Sequence, residues 1–124
     1  MTPLPQELHR FIAEAIDSVE SLEILLLLRR SPDTFWASTA VAQQLGLSQA
    51  VADARLRNLQ KGELVVSGSA TGAFAYAVKS AERHALVDRL ALAYAEQRIH
   101  VINTIYSENL ERLRAFSNAF RLKG

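Results

Sequence analysis

The strongest constraint on the fold is the segment Leu22–Leu28, in which Glu23 is the only polar side chain. A helix that is apolar on nearly every side must be covered on most of them, so the segment predicts a buried central helix. Ser18 or Ser21 can cap its start, and Ser31-Pro32-Asp33 can end it. The segment is far shorter than the roughly 18–20 residues that span a bilayer, and we therefore expect no membrane span.

An amphipathic helix over residues 5–17 precedes this segment. Pro5 suits its first turn, because the missing N–H would have no partner there. Apolar side chains then recur at the spacing of one helix face: Leu8, Phe11, Ile12, Ala15 and Ile16. After the central helix, Phe35-Trp36-Ala37 favours a short strand. Its two aromatic side chains allow two interpretations, a ligand cage or a plug between the sheet and the helices.

Two short helices follow, separated by a three-residue turn. Ser38 or Thr39 can cap the first, and Gly46 suits the left-handed residue that ends it. Ser48 can cap the second, which ends at Lys61-Gly62. The positions predicted to face the core are Val41, Ala42 and Leu45 in the first helix and Ala52, Leu56 and Leu59 in the second. Two short helices joined by such a turn predict a helix-turn-helix unit.

The rest of the chain predicts a β-hairpin followed by helices. Residues 64–67 and 73–78 resemble strands on either side of a glycine-bounded loop, 68–72. Phe74, Tyr76 and Val78 alternate onto one face. Helical periodicity returns at Ser80, and Ser107 can cap a last helix. The predicted apolar stripe of these helices is Leu86, Leu90, Tyr94, Ile99, Ile102, Ile105 or Tyr106, Leu110, Leu113, Phe116 and Phe120.

Length and composition bound the architecture. The chain has 124 residues, 49% of them hydrophobic, which suits a single domain over 1–124. We divide it into an N-terminal helix (5–17), a core (18–79) and C-terminal helices (80–124). The predicted fold class is mainly α with a small β-hairpin (α+β). Without cysteine the sequence excludes disulfides and thiolate sites and suits a reducing cytosol. The N-terminus lacks the pattern of a signal peptide, so we expect a cytoplasmic protein.

The sequence gives little support for catalysis or metal binding. His9, His84 and His100 form no recognised ligand motif, and the pair of His84 with Asp88 at i+4 is typical of a surface contact. The motifs of nucleophile elbows, zinc proteases and phosphate- or dinucleotide-binding loops do not occur. We therefore expect no enzyme, no cofactor and no metal site.

Residues 21–66, SLEILLLLRRSPDTFWASTAVAQQLGLSQAVADARLRNLQKGELVV, resemble the winged-helix domains of bacterial MarR-type and ArsR-type transcriptional regulators. In those proteins a leucine-rich helix precedes an "A-x-x-L-G-L-S" turn and an "L-x-x-L-x-x-x-G-L-V" helix end. The resemblance implies a winged helix-turn-helix that binds double-stranded DNA. The helix capped by Ser48 would lie in the major groove, and the loop at 68–72 would contact the neighbouring backbone or minor groove.

The outward face of the Ser48-capped helix is predicted to hold Gln49, Ala50, Val51, Asp53, Ala54, Arg57 and Lys61. Gln49 and Arg57 can make bidentate base contacts, whereas Asp53 would be repelled by phosphate. Two groups of cations allow two interpretations, phosphate contact or solvated helix ends favoured by the macrodipole: Arg55, Arg57 and Lys61 near the end of this helix, and Arg29 and Arg30 at the end of the leucine-rich helix. The candidate DNA-binding residues are Ser48, Gln49, Arg55, Arg57, Lys61, Arg29, Arg30 and Thr71.

Other partners stay open. The small apolar side chains of Ala50, Val51 and Ala54 also suit a face that contacts another protein. The net charge is only +1, and the loop 68–72 holds no Lys or Arg, so charge alone does not demand DNA.

The flanking helices raise further possibilities. In the resembling regulators such helices commonly build a homodimer, and some members bind a small effector between these helices and the winged domain. No residue of this chain marks an effector pocket. The basic amphipathic segment 112–123 can contact nucleic acid, a membrane surface or a partner, or can pack as an ordinary helix on its own domain or a second copy.

Overall fold

The leucine-rich segment forms helix α2 (Val19–Arg29) at the centre of the computed structural model. The structure describes residues 3–69 and 72–123, with side chains described through Ser117. The side chains of α2 that are buried are Ser21, Leu22, Ile24, Leu25, Leu27 and Leu28. Ser18, the first of the two predicted caps, accepts a hydrogen bond from the Ser21 N–H at 3.0 Å. The prediction of a buried central helix is confirmed.

Helices and a small sheet surround α2. These elements are α1 (Gln6–Ala15), β1 (Trp36–Ala37), α3 (Ser38–Leu45), α4 (Gln49–Lys61), β2 (Val65–Ser67), β3 (Ala73–Tyr76), α5 (Ala81–Glu96) and α6 (Arg98–Lys123). The strands form an antiparallel sheet in the order β1-β3-β2, with Trp36 opposite Phe74 and Val65 opposite Tyr76. The described chain is thus mainly helical with a small antiparallel sheet, which agrees with the predicted α+β class.

Gly46 and Ser48 shape the turn between α3 and α4. Gly46 is left-handed, with φ 69°, and the Leu47 N–H donates to the Ala42 carbonyl at 2.9 Å. The Ser48 hydroxyl accepts from the Val51 N–H at 3.2 Å and caps α4 as predicted. The α4 side chains that are buried are the three predicted from periodicity, Ala52, Leu56 and Leu59. Together these contacts fix which side of α4 faces outward.

The predicted side-chain cap of α3 is wrong. Ala37 holds the cap position without a side-chain hydrogen bond, and Ser38 is already helical. The chain passes directly from β1 into α3, with Ala37 paired to Ala73 in the sheet and the Ser38 N–H donating to the Gly72 carbonyl at 2.9 Å. The Gly72 carbonyl of the hairpin therefore accepts a hydrogen bond at the start of α3, where the sequence predicts the hydroxyl of Ser38 or Thr39 as the acceptor.

The C-terminal helices also differ from the prediction. α6 runs through Ser107 without a break, because no Gly or Pro interrupts residues 98–123. The break falls at Gln97, whose φ of −135° and ψ of 53° are not helical. The predicted stripe positions that are buried are Leu90, Tyr94 and Ile105. Ile99 is 68% exposed, so the stripe is not continuous across the break.

Asp17, between α1 and α2, holds several helices together. Its carboxylate accepts hydrogen bonds from the Ser21 hydroxyl and from Asn58 Nδ2 of α4, the latter at 2.8 Å. Arg55 Nη1, also on α4, lies 3.7 Å from the same carboxylate. Asn109 of α6 donates to the Asp17 backbone carbonyl at 2.6 Å. One residue thus links α2, α4 and α6 to the end of α1.

Glu63, just after α4, has a left-handed backbone with φ 62°. A side chain disfavours this conformation because its Cβ crowds the backbone. The helix-end motif of the resembling regulators places glycine directly before the Leu-Val pair, which is position 63 here. This chain instead has Gly62, whose φ is −80°.

We expect Glu63→Gly to raise the free energy of unfolding by roughly 0.5–1 kcal/mol, since relief of the left-handed strain exceeds the added entropy of the unfolded chain. Gly62→Ala is the control. An added Cβ at position 62 would lie an ordinary 3.6 Å from the Leu59 carbonyl, so this variant should act only through the lower entropy of the unfolded chain and stabilise by about 0.4–1 kcal/mol. Urea denaturation measures both variants. A less stable Glu63→Gly protein would show that position 63 is not strained.

Candidate nucleic-acid interface

An open concave surface lies where α4 meets the start of α3 and the end of the hairpin loop. We call it the α4 concavity. It is lined by Ala37, Ser38, Thr39, Gln49, Ala50, Asp53, Arg57 and Gly72. Of the candidate DNA-binding residues, it brings together Gln49 and Arg57. Thr71 lies outside the described residues. The sequence did not indicate Thr39 as part of this surface, and an exposed hydroxyl at a helix start is the one signal that points to it.

The capping and packing of α4 determine which of its side chains are exposed to solvent. Gln49, Ala50 and Ala54 are exposed, as predicted. Val51 is half-buried, so the prediction that it belongs to the outward face holds only in part. The Ser48 hydroxyl accepts the Val51 N–H and serves the helix itself. The outward face therefore combines one amide, two methyl groups and the charged pair described next.

Asp53 and Arg57 form an ion pair one helical turn apart. Arg57 Nε donates to Asp53 Oδ2 at 2.8 Å. The Arg57 side chain is 60% exposed and the Asp53 side chain 32%. The outward face of α4 thus carries a cation whose charge is partly neutralised by its own helix.

Two other candidate cations on α4 lie elsewhere. Arg55 faces the turn between α1 and α2, with its guanidinium 3.7 Å from Asp17 Oδ2 and 3.9 Å from Glu20 Oε1. Lys61 lines a separate depression beside α1 and α6 together with Arg112. Arg55 is therefore a structural ion-pair residue, and Lys61 lies outside the α4 concavity.

The candidate cations of α2 line a different cleft. Arg29 donates to Asp88 Oδ1 of α5 from Nε at 3.0 Å and from Nη2 at 2.7 Å. With Arg30 it borders a cleft of about 440 Å³ between α2, α3 and α5. In the same cleft the Tyr94 hydroxyl donates to Glu23 at 3.3 Å. Because its polar groups largely pair with one another or with Asp88, we assign no ligand to this cleft.

The aromatic pair at the start of the sheet divides between two roles. Trp36 is half-buried and packs against the core, as the plug interpretation requires. Phe35 is exposed and lies over Gly68 of the hairpin, where an added Cβ would come within 2.8 Å of the ring. Glycine at position 68 therefore lets the hairpin approach β1 closely, and no aromatic cage forms from these two side chains.

A polar chain connects β3, α5 and α2. The Tyr76 hydroxyl and His84 Nδ1 are 2.7 Å apart, and His84 Nε2 lies 3.5 Å from Asp88 Oδ2. The predicted contact between His84 and Asp88 thus continues inward to Tyr76. Burial raises the pKa of Tyr76 above its ordinary value, the negative charge of Asp88 raises it further, and Arg29 opposes both.

Because the folded pKa of Tyr76 is raised, the folded protein keeps the phenol proton at a pH where the unfolded chain has lost it. The free energy of unfolding should therefore fall as pH rises beyond about 10. We expect Tyr76→Phe to make this fall shallower. Tyr106→Phe, at a tyrosine largely exposed in the single chain, is the control, measured at protein concentrations low enough to keep the chain monomeric. Denaturant titrations across alkaline pH measure the slopes, and equal slopes for wild type and Tyr76→Phe would contradict the assignment.

α6 carries a second exposed surface. We call it the α6 stripe, which consists of Ile99, Tyr106, Leu110, Leu113 and Phe116, each 55–68% exposed. Successive members are separated by seven, four, three and three residues, so they follow one face of the helix for roughly 25 Å.

The described cations of the basic segment 112–123 make contacts within the chain. Arg112 donates to the carbonyls of Ile12 and Ala13 at the end of α1, and Arg114 lies 3.4 Å from Glu111. The prediction for the side chains beyond position 117 lies outside the described residues. Arg112 thus supports the interpretation that this helix packs on its own domain.

Two further observations apply to the described part of the chain. It contains no group of three or more histidine or acidic side chains that could hold a metal ion. None of its helices combines the length and apolarity that crossing a membrane requires.

Comparison of the sequence with family models and curated proteins, and of the fold with solved structures, found no match.

Proposed function

We propose that the chain is a winged helix-turn-helix protein similar to MarR-type and ArsR-type regulators, that it binds double-stranded DNA through α4, and that it regulates transcription as a homodimer. The α4 concavity carries the proposal, because it presents Gln49 and Arg57 on one exposed face beside the hairpin. No catalytic reaction is assigned to the protein.

The order of the elements supports the winged-helix assignment. A short strand separates α2 from α3, the hairpin follows α4 directly, and β3 lies between β1 and β2 in the sheet. This arrangement ties the hairpin to the start of α3 and leaves one side of α4 open. A helix about 10–12 Å wide fits the major groove, which is about 12 Å wide.

The exposed side chains of α4 match base edges chemically. Gln49 suits adenine, Arg57 suits guanine, and the methyl groups of Ala50 and Ala54 suit thymine methyls. Phosphate contacts contribute less than in strongly basic DNA-binding proteins, because Asp53 is the partner of Arg57 and Arg55 is held by Asp17 and Glu20. We therefore expect measurable but moderate affinity for duplexes of random sequence, weakened by salt.

Fluorescence anisotropy with a labelled random-sequence duplex at about 50 and 200 mM salt tests the proposal. Binding at the lower concentration should weaken at the higher one. Arg57→Ala should weaken binding several-fold, because it removes a cation and leaves the Asp53 carboxylate unpaired, whereas the control Arg10→Ala, at an exposed cation of α1, should change it little. If the wild-type protein binds no duplex at low salt, the proposal is wrong.

We assign the dimer interface to the α6 stripe. Five large apolar side chains along a single helix face exceed the scattered apolar exposure that is normal for a monomer. A second copy carries the same stripe, so a two-fold axis across α6 would cover both at once. Such a dimer would carry two α4 helices, and a palindromic DNA site has two half-sites.

The alternative is a winged helix that contacts a protein instead of DNA. The exposed methyl groups of Ala50 and Ala54, next to a self-neutralised ion pair, favour it. Ala54→Glu separates the two functions. If α4 binds DNA, this change weakens duplex binding and leaves the oligomeric mass unchanged by light scattering. If α4 is a protein interface, the change lowers the mass of the complex.

A further inference from the structure

Among the described residues that line the α4 concavity, Asp53 is the one acid. A surface that meets the phosphate backbone gains nothing from a carboxylate by charge alone, because the carboxylate is repelled and lowers non-specific affinity. The position of Asp53 therefore needs a reason other than attraction to DNA. Its contact with Arg57 supplies one.

Arg57 donates to Asp53 through Nε, at 2.8 Å. Asp53 is its partner among the described residues, and the two terminal nitrogens of the guanidinium, Nη1 and Nη2, form no hydrogen bond or ion pair with those residues. Guanine offers two acceptors in the major groove, O6 and N7, which an arginine binds with two N–H donors. With Nε occupied, the end of the guanidinium formed by Nη1 and Nη2 is the edge left for a base.

The pair also restricts motion. A free arginine side chain samples many rotamers, and fixing it on a base costs entropy at the moment of binding. Here the carboxylate of Asp53, about two-thirds covered, favours one orientation of the guanidinium while Arg57 itself stays 60% exposed. The geometry suits a side chain that is oriented before it meets its ligand.

We infer that Arg57 recognises one guanine in the major groove, and that Asp53 is a positioning residue that orients the Arg57 guanidinium toward this base. This inference rests on the proposed DNA binding. Asp53 thus lowers overall affinity and raises specificity. The ligand of the α4 concavity is then duplex DNA in which each half-site must contain one particular G·C pair. Loss of the carboxylate should therefore separate affinity from specificity.

Selection from a pool of duplexes with randomised central bases, followed by anisotropy titration of single-base variants, tests the inference. Wild type should select guanine at one position of a half-site and bind the A·T variant about 10-fold more weakly. Asp53→Ala should bind random duplex more tightly, yet its preference for guanine at that position should fall to 3-fold or less. Asp53→Glu, which keeps a carboxylate one turn from Arg57, should retain most of the preference.

Asp33→Ala is the matched control, since it removes an exposed acid of the α2–β1 loop and changes the net charge equally. It should leave the guanine preference at the wild-type value. If wild type selects no guanine, or if Asp53→Ala keeps the full preference, the inference is wrong while DNA binding stands. If wild type binds no duplex, both the inference and the proposed function fail.

Discussion

Replacing Leu110 and Leu113 together with glutamate is expected to convert the proposed dimer to monomers. Both side chains are more than half exposed in the single chain. A two-fold interface buries four of them, each contributing roughly 1 kcal/mol, and the substitution adds four like charges across the axis. The dissociation constant of the dimer should therefore rise roughly 100-fold or more.

Sedimentation or light scattering over a concentration series measures this effect. Ala81→Glu/Ala85→Glu is the control, because it adds the same charge at exposed positions of α5 and should leave the dimer intact. Circular dichroism checks that the variant keeps its helices. If wild type is monomeric at high concentration, or if the variant stays dimeric, the α6 stripe is not the dimer interface.

Asp17→Ala is expected to lower the free energy of unfolding by about 2–3 kcal/mol. The change removes the acceptor of the Ser21 hydroxyl and of Asn58 Nδ2, and it leaves Arg55 with only the more distant Glu20. Ser21 is almost fully buried, so water does not readily replace the lost acceptor.

Asp33→Ala again serves as control, since the acid is exposed and the charge change is the same. Guanidinium denaturation should place it within about 0.5 kcal/mol of wild type. A similarly small effect of Asp17→Ala would show that the Asp17 carboxylate does not tie α2 and α4 to the end of α1.

Much of the fold could be predicted from short-range patterns in the sequence. Gly46 in the left-handed region, Ser48 at the start of α4 and the burial of Leu56 each depend on residues within a few positions, so their pattern is readable in the sequence. The start of α3 was not readable in this way. Its first N–H bonds to Gly72, which lies far along the chain and reaches Ser38 only after the hairpin has formed.

The partners of the charged side chains were harder to predict from the sequence. Arg29 and Arg55 look like DNA-binding cations in the sequence, yet their partners Asp88 and Asp17 lie 59 and 38 positions away. Only the packing of α5 on α2, and of α4 on the α1–α2 turn, brings these groups together. The contact between Asp53 and Arg57 is different, because their i,i+4 spacing on a helix is enough to predict it from the sequence.

The most direct test of α4 as the DNA-binding element is the map of backbone amide shifts when duplex DNA is added to isotopically labelled protein. The largest changes should fall on the α4 concavity, at residues 37–39, 49, 50, 53, 57 and 72. They should be absent from the cleft at Arg29 and Arg30 and from the α6 stripe. Changes concentrated on either of those surfaces, with the α4 concavity unaffected, would contradict the proposed function.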